Sequence, residues 1–242
     1  MNATDGHLLG GRVRYAQPAA GFRSGIEPVL LAASIPARQQ ESVLEAGTGA
    51  GAALLCLCAR VAGLRATGVE IDPGAARLAA ANAAANGFDG ISILTGAIET
   101  AALPERVDHA FANPPYHAAG GTGSPIGPRE TAKRAPDGLI EAWIGRLSRC
   151  LRSRGSLTLI VSAGMVPASL AAMTASGSPC TAIFPLWPQQ GRPAKLVLLR
   201  GVRQARSPMK LMPGLVLHQP DGSFTQAAEA ILRDGGGLDI GG

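Results

Sequence analysis

Short apolar runs and longer amphipathic stretches alternate through the middle of the chain. Five apolar runs have the length of buried strands, and they occupy residues 42–45, 66–70, 91–94, 107–112 and 156–162. Helical patterns precede, separate or follow these runs at residues 28–33, 52–62, 73–86, 139–151, 165–175 and 226–233. A closing pair of strands is predicted at residues 180–185 and 195–200. Repeated strand–helix–strand units predict an α/β fold, a Rossmann-like, doubly wound, mostly parallel sheet of seven strands with a closing antiparallel hairpin. Ligands of such sheets bind beyond the carboxyl ends of the strands.

Both ends of the chain and one internal stretch depart from this alternation. We divide the chain into a basic N-terminal arm with an entry segment (1–35), a core domain (36–202) and a C-terminal tail (203–242) that packs on the core or is partly flexible. The first twenty residues suit either a short strand pair or a mobile arm. Residues 117–137 are rich in glycine and proline, and we expect a functional loop that becomes ordered when substrate binds.

Composition places the chain among globular proteins and leaves its partner open. Hydrophobic residues make up 46% and charged residues 16% of the 242 residues, which suits a folded core and excludes a disordered chain. A formal net charge of +5 favours contact with a phosphate backbone, although ordinary surface charge gives the same balance. The four cysteines lack metal-ligand spacing, no signal peptide is visible, and no apolar run reaches the roughly 18 residues of a membrane span. We therefore expect reduced thiols, no metal, no membrane segment and a cytoplasmic location.

A glycine-rich turn follows the first strand of the predicted core and opens the next helix. It reads Val43-Leu44-Glu45-Ala46-Gly47-Thr48-Gly49-Ala50-Gly51. Glycines at this place let a ligand approach the backbone closely, because no Cβ stands in the way. The turn suits a dinucleotide or S-adenosylmethionine, and a tight turn without a ligand is the structural alternative. We assign ligand binding to Glu45, Gly47, Thr48, Gly49 and Gly51.

An acidic strand end follows the glycines at about the spacing that nucleotide-binding folds use. The segment reads Gly68-Val69-Glu70-Ile71-Asp72-Pro73. A carboxylate at such a place accepts hydrogen bonds from two ribose hydroxyls, and we assign this role to Glu70, with Ile71 in the same binding site. Asp72 precedes a proline at the start of a helix, so we expect it to cap that helix rather than to bind a ligand.

The sequence that ends the fourth predicted strand indicates the reaction, and it reads Asn113-Pro114-Pro115-Tyr116. An amine conjugated to a ring or a carbonyl is a poor nucleophile, because its lone pair is delocalised. The side-chain carbonyl of Asn113 and the backbone carbonyl of Pro114 can accept hydrogen bonds from its N–H groups and raise the lone-pair density, while Pro115 helps to hold the backbone. Tyr116 offers a face on which a planar base or amide stacks. With the two earlier motifs, this sequence predicts methylation of an exocyclic or amide nitrogen by S-adenosylmethionine, for which no general base is required.

The order of the three motifs resembles that of class I methyltransferases of the N-P-P-Y type. Further segments resemble the bacterial tRNA1(Val) adenine N6-methyltransferase family, and the resemblance covers nearly the whole chain. Those segments are Gly21-Phe22-Arg23-Ser24-Gly25-Ile26-Glu27-Pro28-Val29-Leu30-Leu31-Ala32, Thr122-Gly123-Ser124-Pro125, Asp137-Gly138-Leu139 with Trp143-Ile144, and Leu217-His218-Gln219-Pro220-Asp221-Gly222. The resemblance implies S-adenosylmethionine as methyl donor and an adenine next to the anticodon of a tRNA as acceptor. We also assign Arg23, in the first segment, and Asn113, beside its catalytic role, to donor binding.

Two positions depart from the pattern of these relatives. Relatives often carry an acidic residue after the third strand to hold the adenine of the donor, and here Ala97 occupies that place. Glu99 or the backbone of Ile98 is left for this contact, and we assign Ile98 to it. His117 follows Tyr116 where many relatives have an aromatic residue, and we assign it to substrate binding, with an ordinary loop histidine as the alternative.

Basic residues flank the expected mouth of the site. We assign Arg129, Lys133 and Arg134, which follow the catalytic motif, to phosphate contacts of an RNA substrate, with solvated surface charge as the alternative. Arg12 and Arg14 lie in the N-terminal arm. A second basic group, for which phosphate contact and surface charge are equally supported, consists of Lys195, Arg203, Arg206 and Lys210.

Other functions stay open at this level. Release-factor methyltransferases, which modify a protein glutamine, share N-P-P-Y, and ribosomal RNA or DNA bases suit the same pocket. A nucleotide-binding module or oxidoreductase would need G-x-G-x-x-G, whereas the third place after Gly49 holds Ala52. A non-catalytic RNA-binding relative is the last alternative. Since the net charge of +5 favours RNA over protein, the prediction is adenine N6 methylation in tRNA.

Overall fold

The computed structural model describes residues 3–18, 25–115, 117–118, 134–135 and 138–241. The helices within these residues are α1 Glu27–Ser34, α2 Ala52–Arg60, α3 Pro73–Ala85, α4 Leu139–Cys150, α5 Val166–Ala175 and α6 Gln226–Leu232, with short 3-10 turns at Leu9–Gly11 and Ala163–Met165. The strands are β1 Ala3–Leu8, β2 Val13–Pro18, β3 Ser42–Ala46, β4 Arg65–Glu70, β5 Ile91–Thr95, β6 Val107–Ala112, β7 His117–Ala118, β8 Arg134–Ala135, β9 Leu151–Ser162, β10 Cys180–Gln189, β11 Leu196–Val202, β12 Lys210–Leu211 and β13 Leu215–His218.

Nine of these strands form one central sheet, in the order β12-β10-β11-β9-β6-β3-β4-β5 with β13 also paired to β10. Strands β5, β4, β3, β6 and β9 are parallel to one another, and β11 is antiparallel to both β9 and β10. We call the end of the sheet at which the parallel strands finish the carboxyl edge, and the opposite end the amino edge. The chain moves outward from β3 through β4 to β5 and then returns to β6 on the other side of β3. The switch point of the sheet therefore lies between the ends of β3 and β6.

Helices cover both faces of the sheet, as the alternating pattern predicts. One core contains α1, α2 and α6, and the other contains α4 and α5. Strand β9 contributes side chains to both cores. Leu157 and Leu159 pack in the core that contains α4 and α5, whereas Ile160 packs in the core that contains α1, α2 and α6. Strands that are buried on both faces carry continuous apolar sequence, which is why these runs were recognisable.

The boundary between α4 and β9 differs from the prediction. The helix ends at Cys150, and the strand begins at Leu151 instead of residue 156. The ladder to β6 pairs Val107 with Leu151 and then His109 with Ser156, so a bulge of four residues faces Asp108 alone. The bulged sequence, 152–155, is polar and was therefore not recognised as strand.

The two ends of the chain share the core of the central region. Strands β1 and β2 form the antiparallel hairpin that was one of the two expectations for the arm. In the tail, β12 and β13 extend the sheet beyond the seven predicted strands, and the closing pair β10–β11 is longer than predicted. Helix α6 buries Ala228 and Ile231 in the core that also holds α1. The division at residues 35 and 202 remains a sequence prediction.

Residues 117–137 are described only in two places. The backbones of β7 and β8 pair in parallel within this segment. The rest of the segment, and with it the expectation that it becomes ordered on substrate binding, lies outside the described residues.

Candidate active site

Strand register brings the predicted motifs together at the carboxyl edge. Ala46, the last residue of β3, pairs with Ala112, the last residue of β6, so Gly47 and Asn113 follow on adjacent strand ends. On the other side of β3, Ala46 pairs with Val69, which puts Glu70 on the next strand end. Adjacent strands lie about 4.8 Å apart, so the glycine turn is flanked closely by the acidic strand end and by Asn113.

The glycine turn is fixed by the neighbouring strand and by a tryptophan of α4. The backbone N–H groups of Gly47 and Thr48 donate to the carbonyl of Val69 at 2.9 and 3.0 Å. Gly47 has φ +67, and a Cβ built on it would lie 2.6 Å from Cη2 of Trp143. Gly49 has φ +57, but a Cβ built there would meet no atom within 4 Å. The two glycines thus differ in what they make room for. Gly47 leaves space for the indole of Trp143, whereas Gly49 faces open space that a ligand can enter.

Glu70 is held in place by backbone groups and retains acceptor capacity. Its Oε2 accepts from the N–H of Gly49 at 2.8 Å, and its Oε1 accepts from the N–H of Asp72 at 2.9 Å. An ionised carboxylate has about four acceptor sites, so about two are left for ribose hydroxyls. Asp72 accepts from the N–H of Ala75 at 2.6 Å, which confirms its predicted role as the cap of α3.

The residues beside Glu70 have contrasting exposure. Ile71 is 69% exposed, which is unusual for a large aliphatic side chain and leaves an apolar surface beside the carboxylate. Ile98 is buried, and its carbonyl accepts from Nε of Arg146 at 3.1 Å. Glu99 is exposed. An adenine contact by Ile98 stays a prediction, and the structure adds that Arg146 fixes the backbone there.

Glu45 is a buried carboxyl group within the glycine turn. It is 3% exposed, and its Oε2 accepts from the hydroxyl of Thr48 at 2.6 Å. Burial raises the pKa of Glu45 to about 8, although hydrogen bonds from Thr48 and from the backbone of Leu54 act in the opposite direction. The carboxyl group is therefore largely protonated at neutral pH, and a cation bound next to it would favour ionisation.

The predicted catalytic sequence, which starts at Asn113, begins where β6 ends. Asn113 and Pro115 are partly buried, and Pro114 is buried. The backbone in front of them is rigid, since Phe111 and Ala112 are fully buried in the two cores. An amide carbonyl on a rigid strand end, next to the glycine turn, is suited to hold the N–H group of an acceptor amine.

Asn82 of α3 joins the glycine turn to the N-terminal hairpin, and sequence reasoning missed it. Its Nδ2 donates to the carbonyls of Ala50 at 2.9 Å and Ala16 at 2.8 Å, and its Oδ1 accepts from the N–H of Ala16 at 2.9 Å. One turn later, Asn86 binds the N–H and carbonyl of Arg14 at 2.9 and 2.7 Å. Two amides four residues apart on an alanine-rich helix were the available signal.

Several predicted site residues cannot be placed. Arg23, Tyr116, Arg129 and Lys133 lie outside the described residues, and so do the side chains of His117 and Arg134. Their assigned roles remain predictions.

The described residues contain neither a candidate metal site nor a membrane-spanning helix. No group of three or more His, Cys, Asp or Glu among them could hold a metal ion. No helix in the described part of the chain is long and apolar enough to cross a membrane.

Comparisons with known proteins agree with this geometry. Residues 27–171 match the family model described as methyltransferase small domain. A relative from Porphyromonas gingivalis, named tRNA1(Val) (adenine(37)-N6)-methyltransferase, is 35% identical over 158 residues, and the match spans 60% of this chain and only 60% of the length of that relative. A relative of the same name from Aeromonas hydrophila is 30% identical over 209 residues, which are 84% of this chain and 86% of the relative.

One solved structure resembles nearly the whole chain. It is described as a predicted O-methyltransferase from Agrobacterium tumefaciens, and it is 22% identical with a TM-score of 0.71 over 88% of this chain and 98% of its own. This likeness confirms the predicted Rossmann-like fold.

Proposed function

The chain belongs to the methyltransferase small domain family, and we propose that it transfers a methyl group from S-adenosylmethionine to the N6 atom of an adenine in tRNA. The observation that carries this proposal is the register of β3 with its two neighbours, which places Gly47, Glu70 and Asn113 on three adjacent strand ends. A turn that admits a ligand and an amide that binds an amine thus meet at the switch point of the sheet.

The residues around the glycine turn fit the methyl donor. The open space at Gly49 gives the ligand access to the backbone, and the remaining acceptor sites of Glu70 suit the two ribose hydroxyls. The exposed face of Ile71 suits the flat adenine ring. When bound, S-adenosylmethionine supplies an electrophilic methyl group on a cationic sulfur. Glu45, buried in the same turn, provides a carboxyl group whose ionised form is favoured by that positive charge.

The protein prepares the acceptor nitrogen by accepting its protons in hydrogen bonds. Asn113 offers its side-chain carbonyl and Pro114 its backbone carbonyl, so the exocyclic amine is oriented with its lone pair free for attack. Because these acceptors are preorganised on a buried strand end, they need no reorganisation as charge develops. The amine becomes positively charged when it accepts the methyl group and then loses its proton to water, and Tyr116 stacks on the base.

Support for tRNA as the acceptor comes from the relatives and from charge. The relative from Aeromonas hydrophila is named tRNA1(Val) (adenine(37)-N6)-methyltransferase, and its match to this chain covers 86% of its length. The net charge of +5 suits an anionic polymer. A base in a folded loop must be splayed out to reach Asn113, which requires contacts outside the pocket as well. An enzyme that acts on tRNA works where tRNA is present, and we propose a cytoplasmic location.

The test is methyl transfer from labelled S-adenosylmethionine to three separate pools prepared from cells lacking the enzyme: tRNA, ribosomal RNA and protein. We expect label in tRNA, and nucleoside analysis should identify it as N6-methyladenosine. Label in glutamine of the protein pool would replace the acceptor with a release-factor-type substrate. Binding of NADH without binding of S-adenosylhomocysteine would contradict the methyltransferase mechanism itself.

A further inference from the structure

The turn between β10 and β11 lies on the same edge of the sheet as the candidate active site. Strands β9 and β10 are both antiparallel to β11, so both finish at the carboxyl edge. Leu196, the first residue of β11, pairs with Ser162, the last residue of β9. The carbonyl of Lys195 accepts from the N–H of Ala163 at 2.9 Å, which ties the turn to the end of β9. Since β9 is the direct neighbour of β6, Lys195 lies two strands away from β6, the strand that Asn113 follows.

An open groove of about 460 Å³ runs beside this turn, and Trp187 forms part of its wall. The other lining residues are Gln190, Gly191, Arg192, Pro193 and Val216. The indole Nε1 of Trp187 donates to the carbonyl of Pro213 at 3.0 Å. Gly214, with φ +85, permits this approach, because a Cβ on it would lie 2.6 Å from the same nitrogen. The hydrogen bond of its N–H therefore holds the indole in one orientation. The face of the ring is left available for contact with a ligand in the groove.

The cations of this turn have no partner of opposite charge in the described structure. Arg192 and Lys195 are exposed, and neither side chain forms an ion pair or hydrogen bond with another described residue. Asp221 follows β13 at the same edge of the sheet, and its carboxylate accepts from the N–H and hydroxyl of Ser223 at 2.9 and 2.6 Å. A fixed aromatic ring beside unpaired cations is the combination with which proteins bind single-stranded nucleic acid, since bases stack on the ring and phosphates pair with the cations.

We propose that the groove beside Trp187 binds a nucleotide of the tRNA other than the target adenine, with its base on the indole and its phosphates on Arg192 and Lys195. This proposal rests on the proposed RNA methyltransferase function. Strand β10 is three strands from β6, about 14 Å across the sheet. A few nucleotides of extended strand span such a distance, so one RNA segment can occupy both places. The groove then contributes to tRNA affinity, and it takes no part in methyl transfer.

The first test compares tRNA binding and turnover of the wild-type chain with those of Trp187→Ala and Trp187→Phe. Loss of base stacking should weaken tRNA binding by roughly 5- to 100-fold, as measured by fluorescence anisotropy with labelled tRNA. KM for tRNA should rise by a similar factor while kcat changes little. Trp187→Phe keeps an aromatic face and should recover most of the affinity. Binding of S-adenosylhomocysteine, measured by calorimetry, should be unchanged in both variants and serves as the test of correct folding.

The second test removes charge at the surface, where misfolding is not expected. Arg192→Gln and Lys195→Gln should each lower the slope of log affinity against log salt concentration by about 0.7, the value for one phosphate contact with a single strand. Arg65→Gln is the matched control, because Arg65 is exposed at the start of β4, on the amino edge. Its salt slope should equal that of the wild type.

The outcomes separate this proposal from the one on which it rests. A wild-type chain that neither binds tRNA nor methylates it would overturn the proposed function and the groove together. A wild-type chain that methylates tRNA, with Trp187→Ala and Arg192→Gln binding tRNA as tightly as the wild type does, would overturn the groove alone.

Discussion

At the amino edge of the sheet charged side chains pair with one another, whereas at the carboxyl edge they are held by the backbone and keep capacity for a ligand. At the amino edge, Oδ2 of Asp108 accepts from the N–H and hydroxyl of Ser42, both at 2.8 Å, and its Oδ1 accepts from Arg152. His109 contacts Ser156 at 2.8 Å and Glu41 at 2.9 Å. Glu70, at the carboxyl edge, has only backbone N–H partners among the described residues. The same residue types therefore stabilise the fold at one edge and prepare a binding site at the other.

The two edges also respond to pH in opposite directions. Burial lowers the pKa of His109 against the opposing effect of Glu41, and hydrogen bonds from Ser42 and Arg152 outweigh partial burial and bring the pKa of Asp108 to about 2. Groups with lowered pKa contribute stability above their unfolded pKa and lose it as the pH falls. Glu45 has a raised pKa of about 8, so its contribution is lost as the pH rises from about 4.5 to 8.

The largest expected effect is on catalysis, and it tests whether the carboxyl edge is the active site. Asn113→Ala removes a preorganised acceptor for the amine, and turnover should fall by at least about 100-fold. Binding of S-adenosylhomocysteine should stay close to that of the wild type, because the main role proposed for Asn113 is to accept a hydrogen bond from the acceptor amine. Asn86→Ala is the matched control, since it removes an amide that binds the backbone of Arg14 and the carbonyl of Asn82, away from the strand end at Asn113. Full turnover of Asn113→Ala would refute the mechanism.

Substitution of a glycine should lower the free energy of unfolding more at the carboxyl edge, at Gly47, than at the amino edge, at Gly63. Gly47→Ala would combine left-handed backbone strain with overlap against Trp143, and we expect a loss of about 2–4 kcal/mol in the free energy of unfolding. Gly63, in the loop before β4 at the amino edge, has φ +71 but no atom within 4 Å of a built Cβ. Gly63→Ala should therefore cost only about 1 kcal/mol. Equal losses in urea unfolding would show that the contact with Trp143 has no energetic weight.

Substitutions of Glu70 and Asp72, two neighbouring acidic residues of the carboxyl edge, should differ in their effect on affinity for the methyl donor. Glu70→Ala removes the proposed acceptors for the ribose hydroxyls and should weaken binding of S-adenosylhomocysteine by about 10- to 100-fold, equivalent to charged hydrogen bonds of about 1.5–3 kcal/mol. Asp72→Ala removes only the cap of α3 and should cost about 1 kcal/mol of stability with little change in donor affinity. Calorimetry and urea unfolding measure the two quantities. A similar loss of affinity in both variants would contradict the separate roles.

The amino edge should affect stability and leave catalysis unchanged. Asp108→Asn breaks the contacts with Ser42 and Arg152 and should lower the free energy of unfolding at pH 7 by about 1–3 kcal/mol. This difference should narrow as the pH falls from about 4 towards 2, because the wild-type carboxylate is then protonated as well. Asp89→Asn, an exposed carboxylate, is the control and should change stability little. A fall in kcat/KM of folded Asp108→Asn would show that the edges are coupled.

Local patterns were sufficient for most of the fold and for part of the site. The resemblance to N-P-P-Y methyltransferases is confirmed by the family match, and the cap at Asp72 is confirmed by its hydrogen bond. Contacts between distant residues were not predictable in this way. The periodicity of α4 puts Trp143 on its apolar face, but the partner Gly47 lies almost a hundred residues earlier. The bulge opposite Asp108 was missed for the same reason, since its polar sequence is typical of a loop until β6 pairs with it.

The smallest expected effect is the number of protons released when the methyl donor binds. Its measurement sharpens the contrast between the pH responses of the two edges. Because the pKa of Glu45 is about 8, the side chain is mostly protonated in the free protein at pH 7. A cationic donor bound in the same turn stabilises the ionised form, so binding of S-adenosylmethionine should release up to about one proton. Calorimetric titrations at pH 7 in phosphate and in Tris, whose ionisation enthalpies differ, give this number. Glu45→Gln should abolish the release and remove the loss of stability between about pH 5 and 8. A binding enthalpy of the wild type that is independent of buffer would mean that Glu45 does not change its ionisation when the donor binds, and the opposite pH responses of the two edges would then concern folding alone.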